Sequence, residues 1–113
     1  MTGYIPFLGH FEPAIRLGVK TMTCRTKKYG EPGDTLKTNL HGVLIQILEV
    51  RRVRLGDVAD NHFIDEGCET RGDFVKVWEA IHPTRGFVPM DRVWLHIFRV
   101  VDDATKPSYI DGA

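Results

Sequence analysis

The chain has 113 residues, 15 Lys/Arg against 15 Asp/Glu, and a formal net charge of zero. With 42% hydrophobic and 27% charged residues, it reads as one domain over 1–113, long enough to bury a core without staples. No apolar run approaches the ~20 residues that span a bilayer, and "MTGYIPFLGHFEP" lacks the regions of a signal peptide. No membrane partner and a cytoplasmic location are therefore expected.

Charge is unevenly placed. Residues 1–56 carry nine Lys/Arg and four Asp/Glu, whereas residues 57–113 carry six and eleven. A basic half can present a positive field to phosphates. The same asymmetry also arises if the two halves pair across one domain. Cys24 and Cys68 form no CxxC motif and are expected as two free, partly buried thiols.

In chain order, "HFEPAIRLG" (10–18) predicts a short helix with Pro13 in its first turn and Gly18 as its stop. "KTMTCRT" (20–26) alternates with period two and predicts a strand. "KKYGEPGDTL" (27–36) is dense in turn residues and predicts a surface loop. "TLKTNL" and "GVLIQILEVRRVRL" predict two strands around an "HG" hairpin turn, with a bend or bulge at "VRRVR". "GDVADNHFIDEG" predicts a helix with Gly67 as its stop. Phe74, Val77, Trp78 and Ile81 recur at helical spacing before Pro83, so 70–83 predicts a further helix. "DRVWLHIFRVV" predicts a closing strand buried on at least one face, and the polar tail 102–113 is expected to fray. The set is α+β, with a mixed or antiparallel sheet that can curl into a small barrel.

Alternate strand residues share a face, so Thr21, Thr23 and Arg25 point one way and Met22 and Cys24 the other. Lys20 stands at the loop-to-strand junction. A lysine beside hydroxyls works as a base when burial or a second cation loosens its proton. Arg25 can be that cation, or can hold a phosphate or carbonyl. A polar strand face with its lysine in solvent fits the same pattern. "DEGCE" (65–69) offers a carboxylate at a glycine turn, or simply an exposed acidic helix end. The five histidines are scattered without HxH or HxxxH, so no metal site is expected. His82 reads as a helix cap and His96 as a residue beside the core. No Walker A, GxGxxG or GxSxG motif is present, and no cofactor is implied. Trp78 and Trp94 read as core. Tyr29, next to Lys27 and Lys28, is the better candidate for stacking on a base, or else a plain surface tyrosine.

Taken in order, four stretches resemble the ASCH domain family, a branch of the PUA-like β-barrels. "AIRLGVKTMTCR" is similar to the family's GxKxxTxR stretch after a short helix, and "PGDTL" to its loop-to-strand GD element. "DEGCETRGDFVKVWEAIHP" is similar to its helix pair and "VWLHIFRV" to its closing strand. The resemblance covers roughly residues 4–101 and is nearest to the small bacterial N(4)-acetylcytidine amidohydrolases. It implies a small PUA-like β-barrel with helices across its openings, and a protein that handles RNA or modified nucleosides. In its most specific form it implies hydrolysis of the amide of an acylated cytidine. Lys20, Thr23 and Glu66 then stand at the catalytic positions, with Glu69 as the alternate carboxylate. Lys20 would be the base toward Thr23, and Glu66 would carry the proton to the leaving amine. Thr21, Arg25, Lys27, Lys28 and Tyr29 would bind substrate or RNA. Three other readings stand beside this one: a non-catalytic RNA-binding module, a metal-independent ribonuclease and a protein-interaction domain. The "KKYG" loop and the segment 82–92, "HPTRGFVPMDR", depart from the amidohydrolase pattern. The oligomeric state is left open.

Overall fold

A computed structural model describes residues 3–103. Strand β1 (Gly3–Tyr4) leads through a 3-10 turn (Gly9–Phe11) into helix α1 (Glu12–Arg16). Then come β2 (Met22–Arg25), β3 (Thr35–Lys37), β4 (Val43–Arg54), α2 (Leu55–Asn61), α3 (Arg71–Ile81) and β5 (Arg92–Asp103). One five-stranded sheet runs β1-β3-β4-β5-β2. Only β1 and β3 run parallel; the other neighbours are antiparallel, so the sheet is mixed and the fold is α+β.

The predicted elements appear with shifted ends. Pro13 sits in the first turn of α1, and Gly18 follows its end at φ +77°, a conformation that favours glycine. Thr70 caps α3 by accepting a hydrogen bond from the Asp73 backbone N–H at 3.0 Å. Helix α2 is shorter than predicted: it ends at Asn61, and residues 62–67 form a turn that Gly67 closes at φ +90°. Strand β1 was not predicted, because two residues carry no periodicity. The tail expected over 102–113 lies outside the described residues from 104 onward; the backbone of Asp102 and Asp103 completes β5.

The bulge expected at "VRRVR" lies earlier. The β4–β5 register slips between Ile47 and Glu49 and again between Leu44 and Ile45, whereas 49–54 pair regularly with 97–92. Leu48 is the extra residue of the first slip and is half exposed, which lets both flanking stretches of the strand keep their apolar residues inward. The expected barrel is also corrected: the sheet is not closed. Strands β1 and β2, two and four residues long, are its free edges: each pairs with one neighbour only and not with the other edge. A side chain bridges the gap between them instead, with Arg25 Nη2 donating to the Pro6 carbonyl at 2.5 Å.

The core lies between the sheet and the helices. Ile5, Leu36, Ile45, Ile47 and Leu95 of the sheet region meet Ile15, Leu55, Val58 and Ala59 of the helices, all essentially without solvent contact. Among the described residues, four polar ones are buried with them: Lys20, Thr23, Glu66 and His96. Buried polar side chains are costly unless they are paired or have work to do.

Candidate functional site

Strand β2 is anchored on β5 by the pairs Met22–Ile97, Thr23–His96, Cys24–Leu95 and Arg25–Trp94. The turn after α2 docks on its start. The Asp65 carbonyl accepts from the backbone N–H of Thr21 at 2.8 Å and of Met22 at 3.0 Å. That contact brings Glu66 against Lys20, 46 positions away in sequence.

Lys20 is 3% exposed. Its Nζ donates to the Glu66 carbonyl at 2.6 Å, the Met22 carbonyl at 2.8 Å and Glu66 Oε1 at 3.3 Å. Three acceptors match the three protons of an ammonium. The same group lies 4.5 Å from the centre of the Phe11 ring. Glu66 is 4% exposed, and its second oxygen, Oε2, is buried with no hydrogen-bond partner. Thr23 Oγ1 accepts from Arg25 Nε at 3.1 Å. Arg25 is also stacked near the rings of Phe7 and Tyr29, each at 5.2 Å. Burial pulls the Arg25 guanidinium below its usual range, and the phenol of Tyr29 beside it opposes that shift.

His96 supports this layer from beneath. It is wholly buried, and its Nε2 accepts from the Tyr29 backbone N–H at 3.1 Å. That bond assigns the ring proton to Nδ1, which faces the Thr23 carbonyl at 3.3 Å. Burial lowers the pKa of His96, so the ring is neutral near pH 7. Cys24 is buried beside Glu66, and desolvation followed by that carboxylate pushes its thiol well above the usual range. Such a thiol is a poor nucleophile.

Lys20, Thr23, Cys24, Arg25 and Glu66 line a pocket of about 310 Å³, and His96 stands behind them outside the lining. The rest of the lining is aromatic and apolar: Phe7, Phe11 and Tyr29 beside Arg25 and Lys20, then Phe74, Trp78 and Ile81 from α3 with His82 at its end. Trp78 Nε1 is buried without a partner. An apolar cleft with a few convergent polar groups is what a small planar ligand requires, and this volume suits one ring system with its substituents. Among the described residues, no group of three or more His, Cys, Asp or Glu is placed to hold a metal ion.

Of the residues singled out in the sequence, Lys20, Thr23, Arg25, Tyr29 and Glu66 line this pocket together. Glu66 is the carboxylate on Lys20, and Glu69 is exposed. Thr21, Lys27 and Lys28 lie outside the lining. Lys27 rests 5.2 Å from the Tyr29 ring; Lys28 pairs with Glu31 and sits 5.1 Å over Trp94. Of the aromatic lining, Tyr29 is legible in the sequence as a stacking candidate, and Phe7, Phe11, Phe74 and Trp78 are not. Phe74 and Trp78 announced a buried helix face, but helical spacing does not say whether that face meets packed side chains or a cavity.

No protein-family model matches the chain, and no curated protein matches it in sequence. Solved structures do match in shape. A crystal structure of an ASCH domain from Lactobacillus crispatus has a TM-score of 0.61 at 18% identity, covering 89% of this chain and 80% of that one. The chain has the ASCH-domain fold. ZmASCH from Zymomonas mobilis, in a single-residue variant, matches at a TM-score of 0.58 and 10% identity over 87% of this chain and 68% of that one. A DUF984 protein from Enterococcus faecalis matches at 0.71 and 15% over 96% and 86%. At such identities the likeness is one of fold, and the ASCH fold alone does not fix a substrate. Among the described residues, no helix is long and apolar enough to cross a membrane.

Proposed function

We propose that the pocket binds the base of a modified nucleoside, free or within RNA, and hydrolyses the amide of an acylated cytidine. The observation that carries this reading is the buried Lys20–Glu66 pair in one pocket with Thr23 and a set of aromatic rings. A buried ion pair contributes little net stability compared with apolar packing, so its presence in a pocket points to chemistry. The aromatic rings give a planar base its stacking surface.

The resting pair is charged, with Lys20 as an ammonium. A base entering the pocket displaces water and leaves the pair in a drier medium. Desolvation disfavours both charges, and a proton can pass from Nζ to Glu66 Oε1 across 3.3 Å. The neutral amine then takes the proton of Thr23 Oγ1 as that oxygen attacks the acyl carbon. In the resting structure Nζ is bonded to Met22 and Glu66, so it must turn toward Thr23 for this step. The protonated Glu66 gives its proton to the nitrogen as the C–N bond breaks, and cytidine leaves. Arg25, already on Thr23 Oγ1, stabilises negative charge as it develops on the oxygen atoms. Water then cleaves the acyl-threonine ester, releasing the carboxylic acid and restoring the hydroxyl.

The test is incubation with N(4)-acetylcytidine and chromatography for cytidine, beside Lys20→Ala. Wild type is expected to release cytidine, and the variant to lose at least 100-fold in rate, on the scale of a positioned acid–base group. Far-UV circular dichroism checks that the variant is folded. No release by folded wild type sinks the hydrolytic reading and leaves RNA binding as the function of the pocket.

A further inference from the structure

The sheet face that carries Thr23 and Arg25 continues beyond the pocket. Arg25 pairs in register with Trp94, and Trp94 with Arg52. Directly paired residues of antiparallel strands share a face, as do residues two apart on one strand. The next row on this face is therefore Arg92 paired with Arg54. Lys28 and Arg52 lie over the Trp94 ring at 5.1 and 4.9 Å. Arg52, Arg54 and Arg92 are exposed, and none of the three forms an ion pair with a described residue. Asp57 lines the same surface hollow as these three arginines but forms no ion pair with them. Elsewhere Arg71 holds Asp60, Arg85 holds Asp91, and Arg51, on the opposite face of β4, holds Glu49, while Lys27, Lys37, Lys76 and Arg99 are exposed without an ion pair to a described residue. Arg52, Arg54 and Arg92 gather three guanidiniums on two adjacent rows around the single carboxylate of Asp57, a local positive excess that suits an external anion.

We propose that these rows form a docking track for the phosphodiester backbone of single-stranded RNA whose target base enters the pocket. The inference rests on the pocket being a base site, and it specifies the substrate as a nucleotide within a chain. Three features favour this occupant. The charges are spaced along a strand direction, as a string of phosphates requires, with about 6.8 Å between rows. The track starts at Arg25, which itself lines the pocket. The pocket holds a single ring system, so the base must stand out of any stack, as single strands permit.

Fluorescence anisotropy with a labelled, mixed-sequence single-stranded RNA of about 12 nucleotides tests this directly. The combined Arg52→Ala, Arg54→Ala, Arg92→Ala variant is expected to bind at least tenfold more weakly than wild type. Its slope of log affinity against log salt is expected to fall by about 2, given ~0.7 per phosphate contact on a single strand. Arg51→Ala is expected to leave both unchanged. Equal affinity and slope in wild type and the triple variant overturn the proposal, as does tighter binding to a poly-glutamate of matched charge. The titration needs no turnover, so a protein inactive on N(4)-acetylcytidine still passes or fails it independently.

Discussion

His96 shows how one buried side chain ties the site to pH. Its neutral ring joins the loop at Tyr29 to the strand at Thr23. Its pKa is lower in the folded chain than the ordinary value of about 6.5. Below that value the unfolded chain binds the extra proton first. The stabilisation from neutral His96 is therefore complete above about pH 6.5 and declines as pH falls, by up to about 1.4 kcal/mol per pH unit. Urea midpoints measured from pH 7.5 down to 5 are expected to drop in wild type and to flatten in His96→Gln. A midpoint that stays level in wild type would remove this role. Lys20 and Glu66 are the complementary case, an ion pair whose members lie in separate sequence clusters and are joined in the sequence reading only by the family resemblance. Their contact depends on the turn at 62–67 reaching β2, which no local pattern encodes.

At the level of elements, that turn is held by Gly67. Its φ is +90°, and a Cβ there would lie 3.1 Å from the Phe11 ring and 3.2 Å from both Cβ and Cδ of Lys20. Gly67→Ala is expected to cost about 2 kcal/mol, from the strained backbone and from crowding of the lysine stem. Thermal denaturation reads the stability, and turnover read alongside it is expected to fall, because the displaced atoms belong to Lys20. A variant as stable and active as wild type would show that the turn relaxes freely. Gly67 was legible in the sequence as a stop. Its second task, leaving room for Lys20, was not, because the crowding atoms come from the 3-10 turn before α1 and from the approach to β2.

Over the whole molecule, one sheet carries both the pocket and the proposed track, and one core backs the sheet. Trp78 lies in that core on α3, and Trp94 on the outer row of β5. Unfolding in urea is expected to be a single transition, with tryptophan fluorescence and far-UV ellipticity giving the same midpoint. An earlier fluorescence midpoint would mean that the aromatic lining or the outer row opens separately from the sheet. The open gap between β1 and β2 is compatible with one unit, because Arg25 bridges it to the Pro6 carbonyl.

The sequence by itself determined the helices around Pro13 and over 70–83, the long hairpin and the closing strand. Caps, glycine stops and hydrophobic periods are local, and they act within a few residues. It also singled out Lys20, Thr23, Arg25 and Glu66, through a spaced motif and its resemblance. Tertiary structure alone decided the rest. It placed Glu66 rather than Glu69 on the lysine, because Asp65 docks on the start of β2. It moved the bulge to Leu48, because register is set by the partner strand. It left the sheet open, with β1 and β2 as edges that each pair with one neighbour, because strand pairing is set by long-range contacts. It also made Phe74 and Trp78 the wall of a cavity, because a helix face is apolar whether it meets side chains or a ligand.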